Sequence, residues 1–387
     1  MTAGAAAGLP YWRLSAYYLF YFAALGALVP YWGLFLQSRG FDALAVGQLM
    51  AILAITKVIA PMLWGHLVDR SGQRMPLVRQ ASLGAILVFG VVFIADGFWP
   101  MAVAMTLFSF FWNASLPQVE AVTFNHLGAR VSRYALVRVW GSVGFILVVG
   151  VLGFHLEQAP LSIVPVWVLV LYVGVWISSL WIPDCPSATA NGPAPSLRGL
   201  LRRPEVLAFL AACFLMQLSH GTYYAFYSIH LKEAGYSTGA VGALWVLGVG
   251  AEVLVFLIMH RLLERFGARR VLIMSLALAV VRWLLIGACV EFVAVQVVAQ
   301  CLHAATFGTF HAAAIHMVHH YFPGPTQGRG QAIYNSLSFG AGGALGSLIG
   351  GLVWTTPGPF AAFGIGAVAA AIGLWAVWRW VDLGHRY

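Results

Sequence analysis

The sequence predicts an all-α integral membrane protein, with twelve transmembrane helices in two six-helix bundles. Two observations predict it. Of 387 residues, 61% are hydrophobic and only 9% are charged, whereas a soluble domain carries about 25% charged residues. Apolar runs of roughly 20 residues also recur from end to end, each long enough to cross a hydrocarbon core about 30 Å thick. They are too long for transmembrane β-strands, which need about 9–11 alternating residues.

In chain order the runs span 12–36, 44–67, 76–95, 98–124, 136–157, 161–181, 205–231, 238–262, 270–288, 291–317, 328–353 and 360–381. Residues 1–11 read as a short tail, because they lack a charged leading region and a small-residue cleavage site. The first run carries Tyr17, Tyr21 and Tyr31 along one side, with Trp32 near its outer end. The second holds Lys57 at mid-helix, and the third is apolar beyond Arg79 and Gln80 near its start. The fourth places Asn113, Pro117, Glu120 and Phe124 within about 60° of each other at 100° per residue. The fifth starts beside Arg138 and continues through Ser142 and Phe145, and the sixth is again apolar. The seventh has Gln217, His220 and Tyr224 on one face, the eighth has Glu252, and the ninth has Arg282. In the tenth, Gln296, Gln300, His303, Phe307 and His311 fall within about 80° of one face. The eleventh carries Asn335, Ser338 and Gly342, a small-residue pattern suited to close helix packing, and the twelfth is apolar.

The net charge of +9 is not a nucleic-acid footprint, because the basic residues sort by loop. Sixteen of twenty-one, Arg70, Arg74, Arg130, Arg133, Arg202 and Arg270 among them, fall in alternate loops or near the termini. Only Arg39 and Lys232 lie in the opposite loops, and acidic residues divide evenly. Lys and Arg mark the cytoplasmic side, so both termini and the 182–204 segment are expected there, in a bacterial inner membrane. The four cysteines, Cys185, Cys213, Cys289 and Cys301, show no metal-ligand spacing and read as small hydrophobes. His316, His319 and His320 have no carboxylate or cysteine beside them and read as interfacial. No metal and no cofactor are expected.

Ile182–Pro204 is the only sizeable polar stretch, with Pro183, Pro186, Gly192, Pro193, Pro195 and Pro204. It divides the chain into an N-terminal bundle (1–181), a cytoplasmic linker (182–204) and a C-terminal bundle (205–387). Each half repeats a turn after its second helix. Asp69-Arg70-Ser71-Gly72-Gln73-Arg74 matches Glu264-Arg265-Phe266-Gly267-Ala268-Arg269 in the order acid, Arg, one residue, Gly, one residue, Arg. Such a repeat points to a two-bundle transporter whose site lies between the bundles near the midplane.

Gly65, Asp69, Arg70, Gly72 and Arg74 resemble the G-x-x-x-D-R-x-G-R-R loop of the major facilitator superfamily, with Gln73 replacing a basic residue. The resemblance implies that fold over the whole chain and a gating role for this loop. A closer resemblance rests on Arg138-Val-Trp140-Gly141-Ser142, Gln217-Leu-Ser-His220-Gly221, Gly248-Val-Gly-Ala-Glu252, Arg282-Trp283 and Gln300-Cys-Leu-His303. As a set these are similar to the bacterial 3-phenylpropionate permease family, proton-linked relatives of the lactose permease.

The charged residues at depth carry the functional expectation, since each costs about 2.5–3.5 kcal/mol on insertion scales. Glu120 and Arg138, on helices joined by a short loop, are expected to pair and to contact substrate with Lys57, Asn113, Phe145, Gln217, His220 and Tyr224. Lys57, Arg138 and Arg282 outnumber Glu120 and Glu252 by one, a surplus that a substrate carboxylate would neutralise. Glu252 is expected to carry the proton, with Arg282 as its switch partner and His303 as relay or ligand. The lactose permease has a tryptophan seven positions beyond the arginine matching Arg138. Here Phe145 stands there, which favours an aromatic or apolar substrate over a sugar. Where that family has a glutamate three residues after the helix-ten histidine, this chain has Thr306, which leaves the proton to Glu252.

The expected activity is therefore proton-coupled symport of a small organic anion, such as 3-phenylpropionate, by alternating access in a monomer. Its partners would be substrate, protons and the lipid bilayer. The alternatives are a proton-coupled permease for a nucleoside or sugar, or an efflux antiporter. No H-E-x-x-H, G-x-S-x-G or phosphate loop is present, so no enzyme is expected.

Overall fold

The computed structural model of the chain describes residues 9–185 and 196–381, apart from the side chains of Asp69, Ala129, Val131 and Ser132. The regular structure among them is helical. In the N-terminal half, α1 (Tyr11–Ser38), α2 (Ala43–Ser71), α3 (Met75–Phe89), α4 (Phe98–Leu127), α5 (Tyr134–His155) and α6 (Val164–Trp181) follow one another. One turn, α7 (Arg198–Leu201), leads to α8 (Pro204–Glu233) and α9 (Thr238–Ala288). Next come α10 (Val293–His303) and α11 (Phe310–Tyr321), joined by the π-helical turn Ala304–Thr309. A second π turn, Ser336–Gly342, joins α12 (Gln327–Asn335) to α13 (Gly343–Val353), and α14 (Pro359–Trp380) closes the series. Pro186, Gly192, Pro193 and Pro195 of the predicted linker, and Arg386, lie outside the described residues.

Ten helices among the described residues are long and apolar enough to cross a bilayer. Helix α9 is one of these, yet its 51 residues would reach about 77 Å at 1.5 Å per residue, twice what one crossing needs. It breaks at Gly267, where φ is +75° and ψ 153°. Only a residue without Cβ takes that conformation cheaply, so the repeated turn read from the sequence becomes the join between two rods. Helix α4, with 30 residues, supplies the remaining member of the twelve. Helix starts are marked by proline in the first turn of α3, α6, α8 and α14, where its missing N–H costs nothing. At the start of α9 the Ser237 hydroxyl accepts from the Ala240 amide at 3.1 Å, an ordinary N-cap.

The described residues group into two compact units. The first comprises 9–28, 59–148 and 163–185, and the second 29–58, 149–162 and 196–381. The division passes through α1, α2 and α5.

In the first unit α3 packs between α4 and α6. Trp64 joins Ala60, Ala81 and Ala114 in a buried cluster, with Phe110 and Phe111 against it. The end of α6 is closed by arginines. Arg13 donates to the Trp181 carbonyl at 3.2 Å, and Arg79 donates to those of Ser179, Leu180 and Ile182. Cations at a helix C-terminus satisfy both the free carbonyls and the dipole. Basic residues that place a loop on one side of a membrane therefore also finish a helix here. The segment after α6 is tied down as well. The Arg74 amide donates to Asp184 at 3.1 Å, and His126 Nε2 lies 3.1 Å from the Pro183 carbonyl.

In the second unit α8 packs on α13 and α14, and α9 packs on α10 and α14. Glycines set the spacing. A Cβ on Gly221 would stand 2.7 Å from the Gly346 Cα, and Gly346 lies against the Leu218 carbonyl. The ends of α1, α2 and α5 enter this unit by the same means. A Cβ on Gly33 would meet the Ala225 carbonyl at 2.7 Å, one on Gly47 the Gly351 Cα at 2.8 Å, and one on Gly153 the Thr238 carbonyl at 3.0 Å. Tyr31 donates to the Val149 carbonyl at 2.6 Å, and Glu157 accepts from the Ser237 hydroxyl at 2.8 Å and the Gly239 amide at 3.2 Å. Small residues that bring backbones this close are how helices associate where lipid gives no hydrophobic drive.

Candidate functional site

Two clusters of polar side chains lie at depth, one in each unit. In the first, the Tyr134 hydroxyl donates to Glu120 Oε1 at 3.2 Å. Tyr134 stacks on Phe124 at 4.6 Å, and the hydroxyls of Tyr18 and Thr123 are 3.2 Å apart. The guanidinium of Arg138 lies 3.7 Å over the Phe22 ring and 5.9 Å from that of Tyr18. Gly141, one turn further on, makes room for it, since a Cβ there would stand 2.6 Å from Arg138 Nη1. Among the described contacts no Glu120–Arg138 ion pair lies within 4.0 Å, although both residues are half-buried and close enough for their charges to act on one another. The aromatic residues of α1 then take the cation, and a tyrosine one turn before Arg138 takes the carboxylate. Asn113 and Phe145 are buried in the same unit, while Pro117 and Phe124, expected on one face with Asn113 and Glu120, are exposed.

In the second unit Arg282 is fully buried. Its Nε donates to the Ala299 carbonyl at 2.9 Å, Nη1 to Thr306 Oγ1 at 3.1 Å, and Nη2 to Gln300 Oε1 at 3.4 Å. The rings of Tyr223 and Trp283 lie 4.4 and 4.5 Å from it. All of these partners are uncharged. The expected switch partner of Arg282 was Glu252, but the described contact of the Glu252 carboxylate is His303, whose Nε2 is 3.7 Å from Oε2. Glu252 also packs on Gly308 in the π turn, where a Cβ would meet its Cγ at 2.9 Å.

Around this pair the predicted residues of α8 and α10 converge. The rings of His220 and His303 are 6.2 Å apart, and His220 stands edge-on to Trp283 at 4.8 Å. Tyr224 stacks on Trp245 at 6.3 Å, with His220 at 5.9 Å. His303 stacks on Phe307 at 5.3 Å, and Phe307 on His311 at 6.3 Å. A π turn lets residues four apart lie almost one above another, so the predicted face survives a change of helix type. Gln217 is buried against Gly342, with the Cβ position of that glycine 3.3 Å from its own Cβ. His220 Nε2, Gln300 Nε2 and His303 Nδ1 are buried without a hydrogen-bond partner among the described atoms. Buried polar groups left open are uncommon outside functional sites.

Lys57 stands at the centre of α2 and is half-buried. It shares a stripe with Met50, Leu53 and Trp64, which are buried, while Ile55, Ile59 and Met62 on the opposite side are exposed. Among the described residues no carboxylate or hydrogen-bond acceptor reaches its ammonium group.

Of the predicted gating loop, Gly65 and Arg70 lie within the last turns of α2, Gly65 with open space at its Cβ position and Arg70 exposed, and Gly72 in the turn beyond has φ +68°. Arg74 is held by its amide on Asp184 and by its guanidinium on Gln118. The Asp69 side chain lies outside the described residues. Tyr134, Tyr18 and Phe22, which hold the charges of the first cluster, were not singled out from the sequence. The spacing of Tyr134, four residues before Arg138, was the available signal.

The MFS_1 like family model matches residues 11–365. The chain belongs to that family. It is a membrane transporter of the major facilitator fold and not an enzyme. Among curated proteins of the family it is 29% identical to the "Probable 3-phenylpropionic acid transporter" of Escherichia coli (strain K12), over 87% of this chain and 89% of that one. It is 27% identical to the maltose permease of Geobacillus stearothermophilus, over 88% and 87%. Among solved structures a mutant of the nucleoside transporter NupG superposes with a TM-score of 0.83, at 16% identity, over 96% of this chain and 99% of that one.

Proposed function

We propose that the protein couples proton movement to uptake of a small organic anion, an aromatic monocarboxylate such as 3-phenylpropionate, by alternating access. The observation that carries this reading is Lys57, an ammonium at the middle of a membrane helix with no described partner. An isolated cation is costly there. Arg282 already donates to three neutral groups and Arg138 lies over the rings of Phe22 and Tyr18, which points to Lys57 as the cation that receives a substrate carboxylate. The name of the Escherichia coli relative supports the same substrate class. Aromatic rings around both clusters, Phe22 and Tyr18 in one and Tyr224, Trp245 and Phe307 in the other, suit a substrate with an aromatic body.

Glu252 with His303 beside it is the proton site in this reading. A carboxylate that exchanges neutral and charged neighbours as helices move can load and release a proton. The glycine contacts at the Arg-poor ends of α1, α2, α5, α8, α9 and α13 would form the outer closure, with both termini cytoplasmic by the distribution of Lys and Arg.

The test is uptake of labelled 3-phenylpropionate into proteoliposomes under an imposed inward proton gradient, with and without a protonophore. Accumulation that the protonophore collapses is the expected result, and no uptake by folded protein would overturn the substrate. A second reading, transport of an uncharged nucleoside or sugar, is favoured by the open amide of Gln300 and by the names of the maltose and nucleoside relatives. Competition by maltose or uridine, without competition by 3-phenylpropionate, would select it.

A further inference from the structure

At the arginine-bearing end of the first unit, a crevice of about 390 Å³ opens between the start of α1 and the turn from α4 to α5, lined by Leu9, Tyr11, Arg130, Arg133 and Leu136. Its walls are fixed. The Tyr11 hydroxyl donates to the Leu136 carbonyl at 3.2 Å and accepts from Trp140 Nε1 at 2.9 Å. Trp12 lies beside this wall, 4.9 Å from Tyr11 and 5.6 Å from Trp140, with two-thirds of its surface exposed.

Two like charges line this small volume, and among the described residues no acid does. Arg13, Arg74 and Arg79 of the same unit each donate hydrogen bonds to protein groups. Arg130 and Arg133 make no described hydrogen bond or ion pair, and Arg130 leaves helical geometry at φ −92° and ψ 35°. Two guanidiniums beside each other repel unless an anion joins them, and arginine forks match phosphate oxygens in pairs. The cluster of Tyr11, Trp12 and Trp140 has the composition of a membrane interface, where amphipathic rings sit at headgroup level. Exposed Leu136 continues it toward the apolar layer.

The geometry points to a binding site for the phosphodiester of an anionic phospholipid, with Arg130 and Arg133 on the phosphate and Trp12 and Tyr11 along the glycerol region. The inference is independent of which solute the protein carries. It fits a basic recess between helices at a lipid headgroup layer.

The test uses the purified full chain in detergent. Thermal unfolding is followed while phosphatidylglycerol, phosphatidylcholine or inorganic phosphate is titrated in, for the wild type, Arg130→Gln/Arg133→Gln, and Arg198→Gln/Arg202→Gln. Phosphatidylglycerol should stabilise the wild type, and the first variant should need about thirtyfold more lipid for the same shift. The second variant loses the same charge elsewhere and should respond as the wild type does. Equal loss in both variants would overturn the site in favour of diffuse attraction. Equal stabilisation by inorganic phosphate would overturn the lipid as its occupant. Because the exposed arginines could still affect folding, native mass spectrometry of retained lipid provides a second reading. A first variant that retains as much phosphatidylglycerol as the wild type would also overturn the site.

Discussion

His303 presents Nε2 to the Glu252 carboxylate at 3.7 Å, while Arg282 donates its three described hydrogen bonds to neutral groups. The acid and the arginine that a sequence reader would join are held by different partners.

Glu252→Gln should abolish uphill accumulation under a proton gradient while leaving exchange of labelled for unlabelled substrate. Under a gradient of one pH unit the accumulation ratio should fall about tenfold, the about 1.4 kcal/mol that one coupled proton supplies. Full accumulation by this variant would remove Glu252 from the coupling.

Lys57→Gln should raise the apparent KM for the anion by about 10–100-fold, the worth of a charge-assisted hydrogen bond. The methyl ester of the same acid should be a poor competitor against the wild type. An unchanged KM, with protein correctly folded, would move the carboxylate elsewhere.

Arg282→Lys keeps the charge and loses the fork. One ammonium cannot reach the Ala299 carbonyl, Thr306 and Gln300 together in the geometry of a guanidinium, nor lie flat against Tyr223 and Trp283. A loss of about 1–3 kcal/mol in stability is expected, read as a lower unfolding midpoint in detergent. A midpoint equal to the wild type would show that the charge alone matters.

Gly346→Ala and Gly250→Ala should move stability in opposite directions. The first places a methyl against the Leu218 carbonyl, a backbone atom that cannot swing aside, and should cost about 1–3 kcal/mol. The second has open space at the Cβ position and should gain about 0.5–1 kcal/mol from helix propensity. The same melting experiment reads both.

The spans and the break at Gly267 were legible because composition and the repeated acid-Arg-x-Gly-x-Arg turn are local signals. That His303, Phe307 and His311 share one face was legible too, since their rings stack along α10, the π turn and α11. Partner choice was not. Whether Glu120 takes Arg138 or Tyr134 depends on where α1 delivers Phe22 and Tyr18, and that is a tertiary fact. The π turns were also hidden, because a count at 100° per residue assumes the helix type it is meant to test. The glycine contacts between α2 and α13 or α5 and α9 leave no trace in spacing along one helix.

Those two π turns carry a consequence for how the chain can vary in length. A π turn accommodates one residue more than the α-helix it interrupts. Deleting one residue from 304–309 would let that segment revert to α geometry at nearly the same total rotation, so Phe310–Tyr321 would keep its phase and His311 its place 2.9 Å from the Tyr334 hydroxyl. A deletion of the same size in regular α-helix would instead turn every side chain beyond it by about 100°. In these two rods the π turn is the place where a residue can be lost without changing which face looks where.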